Sequence, residues 1–197
     1  ACKAPVITIF GKSWDLHVTE IINTTLDENL KMIEESIRYL KQHADEVFYD
    51  AEHFFDGYMS NPEYAAKTLE AAVNGGADCL VLCDTNGGCL PSEYHEIVTE
   101  IASQFPEVEI GLHNHDDTGC AVANSLVGIE AGARHVQGTM NGIGERCGNT
   151  NLCTLIANLE LKTDLDSIGT GNLPRLTETS LYISEVANIH HNSHFPY

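Results

Sequence analysis

Asp78-Cys79-Leu80-Val81-Leu82-Cys83 runs straight into Asp84-Thr85-Asn86-Gly87-Gly88. After its first residue the run is continuously apolar and short, without the alternation of a half-exposed strand. That is the pattern of a strand buried on both faces of a parallel sheet. Such a strand needs crossover helices before and after it, and the flanking sequence supplies them. Upstream, Asn61-Pro62-Glu63 offers a cap, a first-turn proline and a first-turn acid. A helix follows through Tyr64, Leu69, Ala72 and Val73 and closes at Gly75-Gly76. Downstream, Pro91 opens a helix with Tyr94, Ile97, Val98 and Ile101 on one face, which ends near Phe105-Pro106.

The same rhythm extends outward in both directions. Val6-Ile7-Thr8-Ile9-Phe10 reads as a buried strand ended by Gly11, and residues 12–24, with Trp14, Asp15 and His17, as a loop with a helical turn. Thr25-Leu26-Asp27-Glu28 has the form of a capping box, with Leu30, Ile33, Ile37 and Leu40 at helical spacing to about Gln42. Residues 46–51 form the next strand, running into a polar tip at Glu52-His53-Phe54-Phe55-Asp56. Beyond the central run, residues 108–112 and 135–139 are strands, and residues 119–132 and 151–161 are helices.

Strand and helix thus alternate five times, and every polar cluster sits just after a strand. This is the distribution of an α/β fold of the (β/α)8 TIM-barrel type, whose site is built from the loops at the C-terminal strand ends. A doubly wound sheet also alternates, but it concentrates its glycine-rich turn after the first strand. Five units cannot close eight strands, so a partial barrel is expected. Residues 1–165 form that part; residues 166–197, with a link at Gly169-Thr170-Gly171-Asn172 and a helix over 176–189, leave it. The chain opens on Ala1-Cys2-Lys3 and stops at Pro196-Tyr197, and reads as a piece of something longer.

Composition bounds the function. The 197 residues are 43% hydrophobic, enough for a substantial core. Ten Lys+Arg against 29 Asp+Glu give a net charge of −19, which argues against nucleic acid or an anionic membrane surface as partner. No apolar run reaches the ~18 residues of a membrane helix. Seven cysteines, odd in number and without C-x-x-C spacing, fit reduced thiols in a cytoplasm.

The chemistry-bearing stretches are Gly111-Leu112-His113-Asn114-His115-Asp116-Asp117 and Asn141-Gly142-Ile143-Gly144-Glu145-Arg146-Cys147-Gly148-Asn149. Side chains at i and i+2 of a strand share a face, so His113 and His115 project together. An arbitrary pair of this kind is usually two hydrogen-bonded histidines. Here the position after a buried strand, beside Asp117, Glu145 and Asn149, favours a divalent metal, and the mixed ligand set does not choose which. Three glycines around Glu145, Arg146 and Asn149 are more than a turn requires. Asp84-Thr85 and Glu52-His53 balance evenly between polar strand caps and function. Cys147 reads first as a small residue in a crowded loop, and Trp14, His17, His190, His191 and His194 as ordinary loop or surface residues.

The series His113-x-His115-x-Asp117-x-Gly119-x-Ala121-x-Ala123-Asn124-Ser125, followed by Asn141 to Asn149, closely resembles the metal-dependent acyl-CoA carboxylate transferases: isopropylmalate, homocitrate and citramalate synthases. The resemblance spans residues 6–161, and the stretches 50–58, 83–88 and Cys147 look most like the citramalate-forming branch. It implies that these five units are barrel strands four to eight. It implies condensation of acetyl-CoA with pyruvate, or another 2-keto acid, in a cytoplasmic enzyme that is a homodimer at full length. By resemblance, His113 and His115 ligate a divalent metal (Mg, Mn or Zn), with Asn149 as ligand or neighbour. Thr85, with Asp84, binds the keto acid, and Glu52 and Glu145 are catalytic. Asp116 stands where the family usually has Asn. An Asp-x-Thr-Leu-Arg-Asp-Gly motif, carrying a third ligand and an Arg for the keto acid, has no counterpart here, so the chain by itself is expected to be catalytically incomplete. A sister synthase, a hydroxyacyl-CoA lyase using Cys147, and a metal-binding fragment without turnover are the alternatives.

Overall fold

The unbroken apolar run becomes β3 (Cys79–Asp84), buried at every position and central in the sheet. The computed structural model describes residues 4–169 and 171–197; the readings that touch Cys2 and Thr170 lie outside them. Around β3 stand β1 (Val6–Lys12), β2 (Glu46–Glu52), β4 (Glu109–Asn114) and β5 (His135–Gln137). The spatial order is β1-β2-β3-β4-β5 and every pairing is parallel. An order that never reverses has no topological switch point, which separates this sheet from the doubly wound class. Each crossover steps on to the next strand, as in a (β/α)8 barrel, and five strands make part of one.

The helices explain the one-sided layering. Pleating sends alternate residues to opposite faces. Val47, Tyr49, Ala51, Leu80, Leu82, Ile110 and Leu112 face outward into the main core. There they meet Ile33 and Ile37 of α2 (Leu26–Leu40), Leu69 and Ala72 of α4 (Pro62–Gly75), and Tyr94, Val98 and Ile101 of α5 (Pro91–Gln104). α6 (Ala121–Glu130) and α7 (Leu152–Lys162) continue the layer. The intervening residues face inward, where Cys79, Val81 and Cys83 pack with Phe48. The helix starts are those the sequence predicts: Thr25 Oγ1 accepts from Glu28 N at 3.1 Å, and Asn61 Oδ1 from Tyr64 N at 3.2 Å.

Three details differ from the sequence reading. β1 does not stop at Gly11: it stays in register with β2 up to the pair Lys12 and Glu52. The turn expected in residues 12–24 is a short helix, α1 (Asp15–Glu20). The polar tip after Glu52 is helical, α3 (Phe54–Ser60), because burial decides it: Phe54 and Phe55 are both fully buried, with Phe55 stacked on Tyr94 at 4.3 Å.

The last helix, α8 (Leu176–Val186), buries a stripe spaced by four, Leu176, Ser180 and Ser184. Its two serines meet Asn141, whose backbone is left-handed (φ 63). Asn141 Nδ2 donates to Ser180 O at 2.9 Å and to Ser184 Oγ at 3.0 Å, and Ser180 Oγ donates back to Asn141 Oδ1 at 2.6 Å. Among the described residues no helix is long and apolar enough to cross a membrane.

Candidate active site

Because all strands are parallel, their C-terminal ends gather on one rim. A cleft of about 210 Å³ opens there, lined by Phe10, Asp50, Glu52, Cys83, Thr85, His113, His115 and Glu145. Five of the seven residues singled out from sequence, Glu52, Thr85, His113, His115 and Glu145, therefore converge. His113 sits inside β4 and His115 just beyond it, where it forms an antiparallel bridge with Asn149. Their rings lie 5.3 Å apart, centroid to centroid. Asn149 Nδ2 is 3.3 Å from His113 Nε2.

The glycine-rich loop is shaped by close approach. A Cβ on Gly144 would lie 1.8 Å from Asn149 Oδ1, so only glycine leaves room for the Asn149 side chain. Gly148, at φ +105, would carry a Cβ 2.2 Å from Gly142 O. Arg146 then ties three loops together. Its Nε and Nη2 donate to the Asp117 carboxylate at 2.8 and 2.9 Å, and Nη2 also reaches Thr85 O at 2.7 Å. The guanidinium is therefore committed to the loops, and Glu145 beside it stays largely exposed.

The remaining candidates are placed as follows. Glu52 pairs with Lys12 Nζ at 2.5 Å, a partner fixed by the β1–β2 register. Thr85 Oγ1 accepts from His53 N at 2.8 Å, which leaves the hydroxyl proton free to be donated. Asp84 does not line the cleft. It is buried, accepts from Gly88 N at 3.1 Å and Cys89 N at 3.2 Å, and burial pushes its carboxyl up to about 6. Cys147 is exposed. Sequence reasoning missed Lys12 and Gln137, inward-facing strand residues with no motif of their own, and gave no role to Asp50 and Cys83, which only open the stretches 50–58 and 83–88.

The residues present fit a divalent cation. Asp50, Glu52 and Glu145 put three carboxylates on the cleft, and no Lys or Arg is among its lining residues. His115 Nδ1 is buried with no hydrogen-bond partner, an orphan that an ion or its ligand would satisfy. Burial, then the neighbouring His113 and Arg146, lower the pKa of His115, which favours the neutral, metal-binding imidazole. A second donor cluster brings atoms of Asp50, Cys83 and His113 within 4.8 Å of one another. Burial raises the Cys83 thiol well above its usual range, so it stays protonated and is the weaker ligand.

The sequence matches the HMGL-like family over residues 1–183. It is 56% identical to the (R)-citramalate synthase of Aquifex aeolicus (strain VF5), over 99% of this chain and 37% of that protein. It is 33% identical to the 2-isopropylmalate synthase of Serratia proteamaculans (strain 568), over 93% of this chain and 35% of that protein. The chain thus spans a little over a third of the relatives it matches. The HMG-CoA lyase of Bacillus subtilis shares the fold, with a TM-score of 0.74 at 21% identity, covering 96% of this chain and 66% of that one. An HMG-CoA lyase from Acinetobacter baumannii, solved with coenzyme A and 3-methylmalate, gives 0.71 at 20% identity, covering 98% of this chain and 68% of that one. With a family match across nearly its whole length and a strand order to suit, the chain belongs to the HMGL-like family, with synthases of citramalate and isopropylmalate among its relatives.

Proposed function

We propose that this chain is part of the catalytic barrel of an acyltransferase that condenses acetyl-CoA with a small 2-keto acid, pyruvate first, as the similarity to (R)-citramalate synthases suggests. The observation that carries the reading is the convergence of His113, His115, Glu52 and Thr85 on one anionic cleft. Its volume of about 210 Å³ suits a small acid better than a large ligand.

His113 and His115, with Asn149 beside them, would hold a divalent metal, which supplies Lewis-acid polarisation of the keto carbonyl. Thr85 donates its free hydroxyl proton to the keto-acid carboxylate. Glu52 takes the proton from the acetyl methyl group, and Lys12 fixes the orientation of its carboxylate. Asp84 acts through shape: by accepting from the Gly88 and Cys89 backbone it holds the loop that presents Thr85. Arg146 does the same from the far side, binding the Thr85 carbonyl and Asp117 together.

The test is a chimera in which this chain replaces the matching segment of the Aquifex aeolicus (R)-citramalate synthase. With pyruvate, acetyl-CoA and Mn²⁺, release of free thiol is expected. His113→Ala should lower kcat about a thousandfold, the several kcal/mol a metal supplies to such a reaction. Unchanged turnover in that variant would remove the metal assignment.

A further inference from the structure

Three polar side chains from three strands form one hydrogen-bonded chain on the inward face of the sheet. His113 and Gln137 are direct cross-strand partners in β4 and β5, and His113 Nδ1 lies 2.7 Å from Gln137 Oε1. Gln137 Nε2 donates in turn to Asp50 Oδ1 on β2 at 2.9 Å, a contact between residues 87 positions apart in sequence.

The chemistry of the far end fixes the direction of the whole chain. An ionised carboxylate only accepts, so Asp50 must take the amide NH₂ of Gln137. That turns the amide carbonyl toward His113, and a carbonyl also only accepts. The imidazole must therefore carry its proton on Nδ1. Its Nε2 is left unprotonated, with a lone pair that accepts from Asn149 Nδ2 at 3.3 Å.

We propose that Asp50 and Gln137 are positioning residues that lock His113 in the Nδ1–H tautomer, so that Nε2 faces the cleft as a ready ligand. The inference rests on the reading of His113 as a metal ligand. A purely structural role fits the surroundings less well. Asp50 is half-buried, and Gln137 is its one side-chain hydrogen-bond partner among the described residues. Holding a carboxylate there has a desolvation cost that an apolar residue would avoid. Direction is what the carboxylate adds. A neutral amide at position 50 could donate as well as accept, and the order of the chain would be lost.

Two variants separate direction from packing. Asp50→Asn keeps the size and lets the Gln137 amide turn over. The Asp50→Asn/Gln137→Glu double variant exchanges donor and acceptor at both positions but preserves the direction toward His113. Two-bond ¹⁵N–¹H correlation spectra of metal-free protein at pH 8 report the tautomer, and calorimetric titration with Mn²⁺ reports affinity. The parent protein should show His113 protonated at Nδ1 alone. Asp50→Asn should populate the Nε2–H form and weaken Mn²⁺ about 10- to 100-fold, the usual effect of removing a ligand's orienting partner. The double variant should restore the single tautomer and most of the affinity. A parent already protonated at Nε2, or a single variant with unchanged tautomer and affinity, would overturn the proposal. Absence of Mn²⁺ binding in the parent would instead overturn the metal reading, and the spectra alone would then decide the tautomer lock.

Discussion

Among the described residues no cation pairs with Asp84; burial and backbone N–H groups set its behaviour. Its carboxyl titrates near 6 when folded, against 3.8 for the free group, chiefly because burial disfavours the charge. Between those values the folded chain holds a proton that the unfolded chain has released. Stability should therefore fall as pH rises through the window from about 4 to 6, by an amount on the order of 3 kcal/mol, and stay lower above it. Asp84→Asn cannot ionise. Urea unfolding at a series of pH values should show the variant gaining on the parent across that window; a constant difference would clear Asp84 as the source. At this scale the sequence was most legible where function is local. His113 and His115 are two residues apart, and strand geometry alone puts them on one side. Asp50 and Gln137 carry no such mark, because their meeting depends on the two intervening strands, β3 and β4, being in register.

Among the elements, the central strand announced itself through an unbroken apolar run, and the helices through caps at Thr25 and Asn61 and through apolar faces. α3 was illegible because Glu52-His53 and Asp56 make its surroundings look polar, while the burial of Phe54 and Phe55 is a tertiary effect. α8 depends on a contact of another kind, in which small serines receive one asparagine side chain. Asn141→Ala removes three hydrogen bonds to α8 and leaves Ser180 and Ser184 facing an apolar methyl. It also places alanine in a left-handed backbone that asparagine tolerates better. The combined cost should be on the order of 2 kcal/mol. Hydrogen exchange should show it as a loss of protection of about thirtyfold in α8, while β3 is little changed. Uniform loss across the sheet would mean that α8 is not a separate unit.

For the whole molecule, charge outweighs any single contact. Twenty-nine acids against ten bases leave −19 to repel itself across only 197 residues. Raising NaCl from about 10 to about 200 mM shortens the screening length from about 30 Å to under 10 Å, so the melting temperature should rise. A melting temperature that falls would mean that ion pairs such as Lys12–Glu52 and Lys41–Asp78 outweigh the repulsion.

The sheet order adds a second effect of salt, and it runs the other way. β1 and β5 each have one edge without a strand partner among the described residues, and Phe10 on β1 is 69% exposed. An open edge beside an apolar side chain is a template for another copy of the same strand, held off by like charge. The ions that make each molecule harder to unfold thus also let two molecules approach. Thermal stability and colloidal stability of this chain should part company as salt rises, the melting curve moving up while light scattering begins to grow.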